Sequence, residues 1–138
     1  MTALSNLNDV NYLAVLIATV AFMIIGALWY SPLLFAKPWM ADTGITAERA
    51  SQTNNAPLYV ITAVLALISS LTLALFLEGD PGAGNGAVTG LVAGIGFALT
   101  SMATTGLFNY TKPRLTLIQA GYYVVSLTVA GAIIGAFG

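Results

Sequence analysis

The stretch Gly26-Ala-Leu-Trp29-Tyr30-Ser31-Pro32-Leu-Leu-Phe35-Ala-Lys37-Pro38-Trp39-Met40 marks where a long apolar run ends and a different chemistry begins. It brings together both Trp residues of the chain, a Tyr, a Phe, two Pro and the first Lys. Trp and Tyr favour the membrane–water boundary because each joins an apolar ring to a polar N–H or O–H. Lys lays its methylenes along lipid and puts its ammonium in water. The stretch therefore reads as the end of a first membrane span, a proline-marked turn, and a short segment on the bilayer surface. Trp29, Tyr30, Phe35, Lys37 and Trp39 are its expected interfacial anchors.

Working outward, the chain of 138 residues is 58% hydrophobic and only 7% charged. Soluble domains carry roughly 25% charged residues, so a single water-facing globule is excluded. Four apolar runs, at about 10–30, 58–77, 86–108 and 115–137, are long enough to cross a bilayer, since about 20 helical residues rise about 30 Å. They show no period-two polarity, and lipid offers backbone groups no partner, so they must be helices rather than barrel strands. Asn54 and Asn55 are candidate caps for the second run, and Pro57 falls in its first turn. The Gly/Pro/Asp-rich segment from Glu78 to Asn85 ends it. Pro113 opens the last run. Thr46 and Glu48 resemble a helix start inside the loop between the first two runs.

Basic residues set the orientation. Lys37 and Arg49 lie between the first two spans, and Lys112 and Arg114 between the last two, whereas the other side carries Asp9, Glu78 and Asp80. By the positive-inside rule both basic loops are cytoplasmic and both termini outside. The expected fold is thus an all-α, four-helix transmembrane bundle, N-out and C-out, forming one domain over residues 1–138. The polar start, Met1 to Asp9, lacks the positive n-region of a secretory signal and is read as part of the mature chain.

Much chemistry is excluded by what is missing. With no Cys and no His, disulfides, thiolates, imidazole ligands and the commonest general base are all absent. Net charge is −1 with no basic block, which gives nucleic acid no electrostatic footing. No ionisable residue falls at membrane depth, where proton relays and ion-coupled pumps need one. The acids show no pairing for acid–base work. We therefore expect no enzyme, no cofactor and no metal site.

Two patterns inside the runs invite a reading. Gly86, Gly90 and Gly94 recur at four-residue spacing in the third span, Gly131 and Gly135 in the fourth, and Ala66, Ser70 and Ala74 in the second. Such spacing puts small residues on one helix face and lets backbones approach. It serves helix packing within the bundle or a seam between copies. The second pattern is a polar cluster, Thr100, Ser101, Thr104 and Thr105, with Gln119 and Ser126 in the last span. These residues either bond between helices or line a small hydrated cavity. A weak repeat relates Gly26 to Pro32 with Gly106 to Pro113.

The stretch from Gly26 to Met40 resembles the signature of a prokaryotic membrane family known as domain of unknown function 1761, Gly-x-x-Trp-Tyr-Ser-Pro followed by a Phe and Lys-x-Trp-Met. Ile118-Gln119-Ala120-Gly121-Tyr122 and the Gly-rich final helix, Gly131 to Gly135, match its later features. Where that pattern often carries a His after the Gly-Tyr step, this chain has Tyr123. The resemblance implies a small, four-span integral membrane protein without assigned activity, and it brings over no catalytic residue. The resulting expectation is a non-enzymatic structural, oligomeric or accessory module in a bacterial inner (plasma) membrane. Its partners would be the lipid bilayer and a second copy or larger membrane complex. The alternative is a passive pore or carrier for a small neutral solute.

Overall fold

Asn11 starts the first helix, α1 (Tyr12–Trp29), by accepting a hydrogen bond from the Ala14 backbone N–H at 3.2 Å. That carboxamide satisfies one of the donors a helix start leaves unpaired. The computed structural model describes residues 10–46, 48, 56–77 and 81–137. Pro32 cannot supply the N–H to continue α1. The chain instead turns on Ser31, whose hydroxyl donates to the Leu28 carbonyl at 2.6 Å and accepts from the Leu33 N–H at 3.3 Å. A short helix, α2 (Ala36–Thr43), follows and closes on Gly44 at φ 77°, the left-handed cap that glycine adopts freely.

The other elements are α3 (Ala56–Phe76), α4 (Gly82–Phe108) and α5 (Pro113–Phe137). Together with α1 they make, among the described residues, four helices long and apolar enough to cross a membrane. The architecture is an all-α four-helix bundle, with no strand among the described residues. α4 begins at Gly82, one turn ahead of Gly86, and α3 ends at Phe76. The readings placed on Asn54, Asn55, Arg49 and the Glu78–Asp80 part of the turn lie outside the described residues, whereas Gly82 to Asn85, read as turn, form the first turn of α4.

α5 is the hub. It meets α1, α2, α3 and α4, and α1 also lies along α3. The shared core is built from small residues: Ala14 and Ala18 of α1, Ala66 and Ala74 of α3, and Ala130 of α5, with Val15, Phe22, Leu73, Tyr122 and Ile134 filling between them. The bulky Leu13, Leu16, Val20 and Ile24 of α1 and Leu58, Val60, Leu65 and Ile68 of α3 point outward. This inversion of a soluble core is expected in lipid. Leu gains nothing by leaving hydrocarbon, so helices associate through close packing of small side chains.

Two ties fix the ends of the bundle. At one end the Asn11 carboxamide donates to the Phe137 carbonyl at 3.3 Å, which joins the start of α1 to the end of α5. At the other end Asp42 of α2 takes a two-pronged contact from Arg114, at 2.8 and 2.7 Å, with Lys112 at 3.8 Å. Lys112, Arg114 and α2, which carries Lys37, therefore share one end of the molecule.

Candidate functional site

The residues from Gly26 to Trp39 dock onto the Ile118–Tyr122 step of α5. The Trp29 indole N–H donates to the Ile118 carbonyl at 2.8 Å. Its ring covers Gly121, where a Cβ would sit 2.9 Å from the indole. The reciprocal contact lies one turn away: the Tyr122 ring covers Gly26, where a Cβ would meet it at 3.2 Å, and the Tyr122 hydroxyl donates to the Phe22 carbonyl at 3.0 Å. Each helix thus offers one glycine to the other's aromatic ring. Phe35 packs on Trp29 at 4.7 Å between centroids, and Tyr30 packs on both Trp39 and Tyr122 at 5.7 and 5.9 Å. Of the five anchor residues, the four aromatics are turned partly inward as this cluster, and Lys37 is exposed. The outward apolar residues of the same turn are Leu33, 83% exposed, and Leu34.

Beside this cluster, the Asp42 side chain is only 2% exposed, covered by its immediate neighbours at the bundle end rather than sunk deep in the protein. The Arg114 hydrogen bonds hold its carboxyl below the usual range, against the opposing effect of desolvation. A bidentate guanidinium–carboxylate contact fixes orientation as well as charge, so it aligns α2 with the start of α5.

The five spaced glycines meet in one seam between α4 and α5. A Cβ on Gly86 would strike the Gly131 carbonyl, one on Gly90 the Leu127 carbonyl, and one on Gly135 the Gly82 carbonyl. At Gly94 it would lie 2.8 Å from the Val124 Cα. The two backbones are in direct contact, closer than any side chain allows. The seam is internal to one chain.

Below Gly94 the regime changes. Residues Gly94–Leu99 form a π-helical turn, a feature that takes up one extra residue and recurs at functional sites. At about 100° per residue an unbroken α-helix would place Gly106 about 120° away from the face Gly94 turns to α5; absorbing one residue cuts this to about 20°. Gly106 is indeed buried against α5, with the Thr116 hydroxyl 2.8 Å from where a Cβ would be. Between the last turns of α4 and the first turns of α5 the helices part. They leave a pocket of about 270 Å³ lined by Ser101, Met102, Thr105, Gly106, Asn109, Thr111, Thr116 and Gln119.

Hydrogen bonding separates the polar residues read from the sequence. Thr100 donates to the Gly96 carbonyl and Thr104 to the Thr100 carbonyl, at 2.7 and 2.8 Å, and both are exposed on the far side of α4. Ser126 is fully buried in the core, away from the pocket, and its hydroxyl finds no partner among the described residues. Ser101, Thr105 and Gln119 are brought together in the pocket. Asn109, Thr111, Thr116 and Met102 join them without having been singled out beforehand. Asn109 and Thr111 sit in a turn whose geometry depends on Tyr110 at φ 56°, which no local pattern announces. Among the described residues no group of three or more His, Cys, Asp or Glu could hold a metal ion.

A family model described as "Protein of unknown function (DUF1761)" matches residues 13–135, and the chain belongs to that family. No curated protein and no solved structure matches it.

Proposed function

We propose that this DUF1761 member is a non-enzymatic multi-pass membrane module that pairs with a second copy of itself through the outer face of α4. The observation that carries the reading is the isolation of α4. Only 11% of its most apolar stretch is buried, against 39% for α5, because its one broad contact among the described residues is the glycine seam. Its opposite face presents Val88, Val92, Gly96, Thr100 and Thr104, all exposed and at four-residue spacing. With Thr100 and Thr104 bonded back to their own helix, that stripe is narrow and low in polarity, the form that helix pairs in lipid use. In this reading the module sits in a bacterial inner membrane with the Asp42–Arg114 end in the cytoplasm and both termini outside. The positive-inside pattern of Lys37, Lys112 and Arg114 supports that orientation.

The test is the native mass of the protein extracted gently from its own membrane. Twice the chain mass, falling to one chain in Gly96→Leu/Val92→Trp, supports self-pairing. A single-chain mass for the wild type overturns it, and co-extracted unrelated chains would make the protein an accessory subunit. A second reading, handling of a small neutral solute, is favoured by the uncharged pocket at the end of α4 and α5. That pocket is blind in the direction of the seam, since the glycine contacts close the helices beyond it.

A further inference from the structure

We propose that the pocket between the ends of α4 and α5 binds a small uncharged molecule carrying both hydrogen-bond donors and acceptors, of the amide or urea type. The inference rests on the solute reading only in taking the pocket to be used, and it makes no claim about transport.

The first support is an exception to a rule. Threonine in a membrane helix ordinarily bonds back to the carbonyl four residues earlier. In the described helices Thr19, Thr43, Thr62, Thr72, Thr89, Thr100, Thr104 and Thr128 all do so, at 2.7 to 2.9 Å. Thr105 and Thr116 do not, and both line the pocket. The hydroxyls of Ser101 and Thr111 and the carboxamides of Asn109 and Gln119 likewise make no hydrogen bond to another described residue. Six neutral polar groups from two helices and their turn are therefore turned on one space. Thr111, Thr116 and Gln119 are partly withdrawn from water, where such groups need a partner, and Ser101, Thr105 and Asn109 stand exposed beside them.

The second support is the character of the lining. Every polar group in it is neutral, and Met102 adds one soft apolar wall. The cations Lys112 and Arg114 are close in sequence but are not in the lining, and Arg114 is engaged by Asp42. A charged ligand would find no counter-charge in that lining. Asn109 and Gln119 each offer a donor beside an acceptor, the edge that a second amide complements. The volume of about 270 Å³ lies below the range of about 300–1,000 Å³ typical of sites for drug-sized ligands, which favours a solute of few heavy atoms. On α4 the pocket reaches from Asn109 back to Ser101, about 12 Å along the helix. It thus lies at the loop end of the helix pair and stops short of the bilayer centre.

The probe is acetamide, titrated into the full chain in lipid nanodiscs while the side-chain amide signals of Asn109 and Gln119 are followed by NMR. We expect saturable shifts in both. Thr105→Val/Thr116→Val should weaken binding at least about tenfold, the order expected for two lost hydrogen bonds. Thr100→Val/Thr104→Val, on the outer face of the same helix, should leave it unchanged. Absence of saturation with acetamide and urea, a pocket holding water alone, would overturn the proposal. So would acetate binding as well as acetamide, which would make it an anion site governed by Lys112 and Arg114. Equal affinity in the Thr105→Val/Thr116→Val variant would also overturn it. Native mass measured on the same samples reports separately on self-pairing, and liposome flux reports separately on transport, so failure of either leaves the binding result readable.

Discussion

At the scale of single residues, the contact that organises the molecule is the exchange of rings and glycines between α1 and α5. Gly121→Ala pushes a methyl into the Trp29 ring, which cannot shift without losing its hydrogen bond to the Ile118 carbonyl. We expect a loss of about 1–3 kcal/mol, the usual cost of overpacking. Trp29→Phe, with a smaller ring, should cost less in the Gly121→Ala background than in the wild type. Thermal unfolding in detergent of both single variants and the double variant closes the cycle, and simple additivity would refute direct coupling. Asp42 gives a second expectation. Its carboxyl is held low in the folded state, so its stabilising contribution is complete above the ordinary unfolded value of about 3.9 and is lost as pH falls through the lowered folded value. Asp42→Asn should abolish that acid-side dependence and speed proteolysis near α2. High salt should weaken the wild-type contact in the same direction. Neither contact could be read from the residues alone. Composition draws Trp29 to the lipid boundary, whereas its partner lies 89 positions away; Asp42 and Arg114 are 72 apart.

Between elements, the phase of α4 decides what each of its residues can do. Gly86, Gly90 and Gly94 face α5 because four-residue spacing keeps one face, and that much is legible in the spacing. The split of the polar cluster is not. Thr100 and Thr104 differ from Ser101 and Thr105 by one position each, and only the π turn at Gly94–Leu99 settles which pair meets α5. Two substitutions distinguish the faces. Gly90→Ala meets the Leu127 carbonyl, a backbone group that cannot step aside, and should lower stability by about 1–3 kcal/mol or more. Gly96→Ala has open space around its new methyl within one chain and should leave the single chain's stability unchanged or raise it by up to about 1 kcal/mol through helix propensity. Deleting Gly96 tests the phase itself. It would turn the π turn into an ordinary α turn with Gly106 still facing α5, so the chain should fold, whereas adding one Ala at that point should not be tolerated. Circular dichroism and melting temperature decide between the outcomes.

Over the whole molecule, the fold was readable because lipid leaves so few solutions: apolar runs of this length must be helices, and short polar turns must make neighbours antiparallel. Which helix lies at the centre was not readable, since all four runs are apolar throughout and none advertises that it alone has three large neighbours. The central place of α5 follows from the small residues along it, Ala120, Gly121, Ala130, Gly131 and Gly135, which let α1 and α4 approach from two sides. Because α5 is tied to α1 through Asn11 at one end and to α2 through Asp42 at the other, the bundle can insert in only two ways, and each would be uniform along the chain. The chain has no Cys, so single Cys variants can report on the choice. Tyr110→Cys, in a turn 94% exposed at the Asp42 end, should react with a membrane-impermeant maleimide only after the cells are opened. Ala83→Cys, exposed at the start of α4, should react in intact cells. The reverse pattern would turn the molecule over and place the pocket mouth outside, where the neutral solute it is proposed to bind would reach it from the environment rather than from the cytoplasm. Labelling at both positions in intact cells would instead mean a mixed population, in which three described cations on one end do not suffice to fix orientation.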